Sequence, residues 1–444
     1  MAERENALVV LKEWFESDLP EMIEREVGYK DFIPLKECLG IVGARRAGKT
    51  FFMFQLIKEI AKKGNIVYVN LEDRRLMPLT EKSLDIIYEA FVENFDYDKK
   101  EKMFFFLDEV QNVPSWERFV RNFYDKNNVK FFVSGSSSKI LKSELSALLT
   151  GRIITLEMYP FSFREFLKAK GYEKELKDKL LFYSPKIHEI KKLFREYLEL
   201  GGFPECVLAE KENIKLTLLR EYLDGIINRD VLSRYKIKNR VLLENLVNYL
   251  FSCISSPFSF SKAYKFFKSQ GIKVGKQTLI EYFSYFNQVF LFFSVPIFSY
   301  KIKDALRYPV KIYCIDNGFF KVAIPKISED FGRLAENLVF IELRRNYSSN
   351  PLARIFYWKD KEGREVDFVI KEGLNVKQLI QACWNISDLK TKEREIKSLL
   401  KAMKEFKLKE GFVITEDYDG AAKIGDNIVQ HVPLWKWLLL GYLA

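Results

Sequence analysis

Residues 43–50 read Gly-Ala-Arg-Arg-Ala-Gly-Lys-Thr, a full match to the pattern G-x-x-x-x-G-K-[ST], and they directly follow the apolar run Cys38–Val42. An apolar strand that feeds a glycine-bounded loop and then a helix is the arrangement that cradles a phosphate chain. The glycines let successive backbone N–H groups turn inward. Lys49 sets a positive charge against the outer phosphates, and Thr50 offers a hydroxyl to Mg2+. The helix expected over Phe51–Lys62 aims its N-terminal dipole at the same anion. Gly43, Ala44, Arg45, Arg46, Ala47, Gly48, Lys49, Thr50 and Phe51 are therefore the candidate contacts to a nucleoside triphosphate.

Around this loop the first third of the chain alternates strand-like and helical runs. Cys38–Val42, Ile66–Leu71, Met103–Leu107 and Val129–Val133 are apolar, with amphipathic segments between them. That alternation predicts a parallel sheet with helices on both faces. Met103–Glu109, MFFFLDE, fits a Walker B strand: Asp108 would stand beside Thr50 to organise Mg2+, and Glu109 would polarise the attacking water. The run Ile66–Leu71 between the two motifs is the order of additional-strand ATPases. The next strand ends in Ser134-Gly135-Ser136-Ser137-Ser138, where Ser136 suits a sensor of the γ-phosphate; the alternative is an ordinary polar turn. Arg152, after Gly151, suits either an arginine finger acting across a subunit interface or a salt-bridged strand start.

Taken in order, GARRAGKT, FFFLDEVQNV with Trp116, SGSSS, LLTGR, YPFSFREF and YLELGGFPE resemble the AAA+/STAND-like P-loop ATPases of archaea and bacteria over nearly the whole chain. The resemblance implies ATP as the nucleotide, Asp108 as Mg2+ organiser and Glu109 as catalytic base. It further implies a winged helix and a nuclease-like C-terminal domain, and leaves the cellular role open.

The totals bound the rest. The chain has 444 residues, enough for about three domains, and 48% hydrophobic composition supports sizeable cores. Five scattered cysteines without C-x-x-C spacing argue against zinc or a disulfide framework, and two histidines argue against a His-based metal site or triad. The N-terminus lacks a signal-peptide layout and the apolar tail Val432–Ala444 is too short to span a bilayer, so a cytoplasmic protein without membrane attachment is expected.

Residues 160–250 read mainly as amphipathic helices, a candidate lid over the nucleotide. Pro257–Ile315 then resembles a winged helix-turn-helix: a helix capped by Ser259 and ending at Ser269, a turn at Gly271, a second helix over Gly275–Gln288, and a hairpin from Val289–Phe298 to Val310–Ile315. The net charge of +11 concentrates here, where nine basic residues over 262–311, Lys311 included, face only Glu281 and Asp304. Lys273, Lys276, Gln277 and Thr278 open the second helix, and Lys301, Lys303 and Arg307 occupy the hairpin tip; together they are the candidate DNA contacts. A winged helix that binds protein is the alternative.

The last third orders its elements like a PD-(D/E)xK nuclease: a helix from Leu334 with Glu336, a strand Ile355–Trp358, the strand Glu365–Ile370 with Asp367, a strand Leu379–Cys383, and a helix Leu389–Phe406. Glu336, Asp367 and Gln381 are the candidate metal ligands. The third element reads Gln381-Ala382-Cys383, which lacks the acid and the lysine that orient the water. A degenerate structural or DNA-docking domain is therefore favoured over an active nuclease.

The expected fold is multidomain α/β. Its parts are a P-loop ATPase core (1–158), a helical lid (159–250), a winged helix-turn-helix (251–316) and a restriction-endonuclease-like α/β domain (317–444). ATP and Mg2+ are the expected cofactors and DNA the expected partner, with a homo-oligomeric ring if Arg152 acts in trans. A DNA-dependent motor, a nucleotide-gated switch, an ATP-regulated nuclease and a protein-remodelling factor remain the open functions.

Overall fold

Phe106 on one strand stacks at 4.4 Å on Phe132 of its neighbour, inside a sheet whose strands are apolar on both faces. Strands so buried need helices on either side, and the first third of the chain builds that layered unit. The computed structural model describes residues 2–60, 65–126, 129–136, 151–178, 181–301, 308–323, 330–386 and 388–441. They form two compact units, Met1–Tyr159 and Pro160–Ala444.

The first unit contains, in order, α1 (Ala2–Glu16), β1 (Cys38–Gly43), α2 (Lys49–Ile60), β2 (Asn65–Asn70), α3 (Ser83–Asn94), β3 (Met103–Asp108), α4 (Trp116–Lys126), β4 (Val129–Gly135) and β5 (Ile153–Met158). The five strands are parallel, in the order β2-β3-β4-β1-β5. β4 thus lies between the strand that leads into the phosphate loop and the strand that ends in Asp108. Phe52, Leu56 and Ile60 of α2 close one face over Leu39, Ile41 and Phe104. The helix α1 had no clear apolar signature; Trp14 fixes it by packing 4.9 Å from Tyr68 and 6.2 Å from Phe54.

The second unit opens with α5 (Phe163–Ala169), started by a capping box between Ser162 and Glu165. It continues through α6 (Ile187–Leu200), α7 (Pro204–Leu208), α8 (Glu212–Gly225), a π-helical stretch Ile226–Ser233 and α9 (Arg240–Ser252). The helices expected over 160–250 are there, and the apolar faces of α6 and α8 are spent on the helix Gly318–Ala323 further along the chain.

Next come β6 (Pro257–Phe258), α10 (Phe260–Ser269), α11 (Lys276–Gln288), β7 (Phe292–Val295) and β8 (Val310–Cys314). The three strands form a small antiparallel sheet, β6-β8-β7. The first arm of the hairpin is shorter than the sequence predicts, because Phe290 turns at φ +63° and the Leu291 N–H returns to the Phe286 carbonyl to close α11.

The chain ends with α12 (Gly318–Ala323), α13 (Phe331–Tyr347), β9 (Ala353–Lys359), β10 (Glu365–Glu372), β11 (Asn375–Ala382), α14 (Leu389–Phe406), β12 (Glu410–Thr415), β13 (Gly420–Ile424), β14 (Asn427–Pro433) and α15 (Leu434–Leu440). A mixed six-stranded sheet runs β13-β14-β12-β11-β10-β9: β9-β10-β11 is an antiparallel meander, and β12 pairs parallel with β11 and with β14. Leu399, Ala402 and Met403 of α14 close its core against Val366, Val369, Leu379 and Val413. Among the described residues no helix is long and apolar enough to cross a membrane, and all five cysteines are free.

Candidate nucleotide-binding site

β1 delivers the chain to Gly43, whose Cα faces the backbone of β5. A Cβ there would stand 2.1 Å from the Met158 carbonyl oxygen, so any larger residue would push β5 away from the loop. Arg46 at φ +66° and Gly48 at φ +93° then curl the backbone before α2 begins at Lys49. Alternating left-handed turns of this kind aim consecutive N–H groups into one concavity. The Lys49 ammonium donates to the Gly43 and Ala44 carbonyls at 3.3 Å each and lies 3.6 Å from Glu109 Oε1. Arg45 pairs with Glu72 at 3.1 Å, Arg46 is exposed, and Phe51 is exposed in the first turn of α2.

The Asp108 carboxylate is fully buried at the end of β3. Its Oδ2 accepts from the Thr50 hydroxyl at 2.6 Å and from the Tyr68 phenol at 3.0 Å, and its Oδ1 accepts from the Ser134 hydroxyl. Burial, followed by the charge of Asp108, pushes the Tyr68 phenol far above its ordinary range, so it stays a donor. Glu109 follows in the left-handed conformation, φ 54° and ψ 48°, which swings its side chain away from Asp108 and toward Lys49. Its backbone N–H donates to Ser134 Oγ at 2.9 Å, and Gln111 Nε2 donates to its Oε2.

The sequence expects the sensing hydroxyl at Ser136, and the structure adds a second serine, Ser134. Ser136 is buried just beyond β4, but Ser134 is the serine that bridges Asp108 and the Glu109 backbone. The register holds the signal: Leu107 pairs with Val133, so the next residues, Asp108 and Ser134, must be neighbours. Ser137 and Ser138 lie outside the described residues. We expect Ser134→Ala to orphan the Glu109 N–H and cost about 1–3 kcal/mol. Thermal unfolding of the variant checks this.

Arg152 is separated from this cluster by the length of a strand. Its carbonyl accepts from Cys38 N–H at the start of β1, whereas the phosphate loop leaves the other end. Six strand residues amount to roughly 20 Å. Its guanidinium stacks 5.5 Å over Tyr124.

Comparison with known proteins agrees with this geometry. Residues 35–167 match the family model of an AAA domain, residues 191–330 a domain of unknown function (DUF8612), and residues 331–437 a second one (DUF4143). The chain is 37% identical over 426 residues to the uncharacterized protein MJ1544 of Methanocaldococcus jannaschii, spanning 94% of this chain and 91% of that protein. It belongs to the MJ1544 family. An uncharacterized protein of Haemophilus influenzae is 27% identical over 358 residues, covering 79% of this chain and 84% of its own length. Among solved structures, the Aeropyrum pernix ORC1 protein in complex with DNA is similar at 11% identity and TM-score 0.33, covering 77% of this chain and 93% of that one. The Drosophila ORC bound to AT-rich DNA and Cdc6 is similar at 10% identity and TM-score 0.23, covering 72% and 94%. The AAA-domain match and the sheet order identify residues 35–167 of this MJ1544-family chain as a P-loop domain of AAA type.

The basic residues of this family member divide between surface and core. Lys262, Lys265 and Lys268 on α10, Lys273 in the turn, and Lys276 and Gln277 opening α11 are exposed; Thr278 is half-buried and Lys301 is exposed. Lys303 and Arg307 lie outside the described residues. Tyr282 and Phe286 are core, and Tyr285 stacks on Tyr235 at 3.9 Å, so none of the three is a free base-stacking platform.

Lys311, counted in that basic stretch, is buried. It is 2% exposed, and its ammonium lies 2.6 Å from Asp367 Oδ1, 2.8 Å from Glu365 Oε1 and 3.1 Å from Glu336 Oε1. Burial opposes its charge, yet Asp367 and then Glu336 hold its pKa well above the usual lysine range. Burial, followed by the charge of Asp367, pushes Glu336 up to about 8.

Glu336, Asp367 and Gln381, the candidate metal ligands, all make contacts within the protein. Gln381 Oε1 accepts from the Asp367 N–H at 3.3 Å and its Nε2 donates to Glu395 at 2.7 Å. Among the described residues no group of three or more His, Cys, Asp and Glu side chains is arranged to hold a metal ion.

Proposed function

We propose that the protein binds ATP with Mg2+ at the loop 43–51 and hydrolyses it, using the nucleotide state to control engagement of DNA. The observation that carries this reading is the contact of 2.6 Å between Thr50 Oγ1 and Asp108 Oδ2, with Glu109 beside Lys49. The residues fit the group: a hydroxyl and a fully buried carboxylate converge where a hard cation takes oxygen ligands. Bound Mg2+ would neutralise charge developing on the phosphates. Lys49 would turn from the Gly43 and Ala44 carbonyls toward the β/γ-phosphates, and the N–H groups of residues 44–51 would hold the chain of anions. Glu109 would accept the proton of the attacking water, oriented by its N–H contact to Ser134 and its side-chain contact to Gln111. Ser136 stands near enough in sequence to sense the γ-phosphate. Arg152, a strand's length from its own phosphate loop, can serve as a finger only toward a neighbouring subunit in a ring.

For DNA, the reading rests on exposed Lys262, Lys265, Lys268 and Lys276 on two helices, Lys273 in the turn between them and Lys301 beyond β7, beside a small antiparallel sheet as in a winged helix-turn-helix. None of the six is paired with a carboxylate among the described residues. Lys276→Glu combined with Lys301→Glu is expected to weaken duplex binding and to reduce the slope of log affinity against log salt by about two. Fluorescence anisotropy across a salt series measures both, and an unchanged affinity would remove this face from the DNA site.

The function as a whole is tested by steady-state ATP hydrolysis with single-stranded, duplex and branched DNA, using Glu109→Gln as the blank. Stimulation by one form supports a DNA-dependent motor. Equal, slow rates with every form support a nucleotide switch.

A further inference from the structure

The carboxylates of the C-terminal domain sit where an order of helix, meander and helix would lead one to look for a divalent cation, and a cation is there. It is the side chain of Lys311, which arrives on β8 from outside the domain. An ammonium has three N–H donors, and here each has its own carboxylate: Asp367 at 2.6 Å, Glu365 at 2.8 Å and Glu336 at 3.1 Å.

Further donors reach the same three carboxylates. Asp367 Oδ2 accepts from the Ala382 N–H at 2.9 Å, Glu365 Oε2 from the Lys359 ammonium at 2.9 Å, and Glu336 Oε1 also from the Tyr313 hydroxyl at 2.7 Å. Lys311 cannot swing aside as a lysine on a loop would. Its backbone is paired on both sides, with Pro257 of β6 and Val295 of β7.

We infer that the Lys311 ammonium is the resident cation of this cluster, that no divalent metal binds there in the native protein, and that the cluster fastens the small antiparallel sheet to the six-stranded sheet. The disagreement with a metal-dependent nuclease is chemical. A metal would have to displace a buried ammonium held by three carboxylates, and the displaced ammonium would be left without partners, the costly state for a buried ion.

The test is Mn2+ titration of the full nucleotide-free chain, read by the electron paramagnetic resonance of free Mn2+. Wild type, Asp367→Asn and Glu336→Gln should take up Mn2+ with the same stoichiometry, because any cation at the phosphate loop is common to all three. One Mn2+ lost in either variant would overturn the inference. Lys311→Ala should gain one Mn2+, and Lys311→Ala combined with Asp367→Asn should lose it again. A folded Lys311→Ala that takes up no Mn2+ would equally overturn the idea that the ammonium stands where a cation fits. Should Lys311→Ala fail to fold, the comparison of wild type with Asp367→Asn and Glu336→Gln decides alone.

Discussion

Glu109→Gln should lower ATP turnover by about 10²–10⁴-fold, the usual worth of a positioned general base, and leave ATP affinity close to that of the native protein. The substitution keeps the shape of the side chain and removes only its charge and basicity. The phosphate cradle is built from other parts: the backbone of residues 44–51, Lys49, and the Thr50–Asp108 contact at 2.6 Å. The left-handed backbone at Glu109, φ 54°, is fixed by the Ser134 hydroxyl on its N–H at 2.9 Å, and that bond is untouched. What the variant loses is the proposed proton acceptor and the charge 3.6 Å from Lys49. Single-turnover hydrolysis together with binding of a fluorescent ATP analogue separates the two effects. Loss of affinity in step with loss of turnover would show that Glu109 holds the nucleotide and that the base must be sought elsewhere.

The division between what was legible in the chain and what was not follows from the range of each interaction. The phosphate loop is read from contiguous residues, because its pattern needs fixed spacing along one strand–loop–helix, and Asp108-Glu109 is read as the acidic end of a second apolar strand. The parallel order of the first sheet follows from the alternation of apolar strands and helices. Ser134 needed the register of β3 against β4, which places it beside Asp108, and a list of serines after a strand cannot tell which one faces across. Tyr68 reaches Asp108 from β2, on the far side of β3, so no local pattern announces it. Lys311 is harder still to place. In sequence it is one more cation in a basic stretch, and a lysine is almost never buried unless paired; its partners Glu336, Glu365 and Asp367 come from α13 and β10, at least 25 residues away. The motifs YLELGGFPE and Asp316-Asn317-Gly318 stood apart in sequence with no sign that they touch.

They do touch, and that contact carries the second large prediction: Gly201→Ala should destabilise the second unit by on the order of 4 kcal/mol, roughly a 10 °C fall in its unfolding temperature. Gly201 ends α6 at φ +74° and ψ −163°, a region essentially closed to residues with a Cβ. A Cβ built there would also lie 1.7 Å from Asp316 Oδ1. Asp316 cannot move away cheaply. It is buried, its Oδ2 accepts from the Gly202 N–H at 2.7 Å and its Oδ1 from the Gly318 N–H at 2.8 Å, so displacing it orphans two backbone donors at once. The next residue ties the same junction from the other side: Asn317 Nδ2 donates to the Leu198 carbonyl at 2.9 Å and to the Leu334 carbonyl at 3.0 Å. Burial pushes Asp316 up to about 7 against the opposing effect of the Gly202 and Gly318 N–H groups. A carboxyl whose pKa is higher folded than unfolded contributes stability that is present below about pH 4 and is lost as pH rises through 7. The junction therefore weakens between about pH 4 and pH 7, and the Gly201→Ala deficit should be measured at a fixed pH. Calorimetry of Gly201→Ala, Asp316→Ala and the double variant decides the mechanism. Steric and hydrogen-bond losses that share Asp316 must be strongly non-additive, with the double variant far less damaged than the two single losses summed. Additive losses would mean that the two motifs stabilise the unit independently and that their contact is incidental.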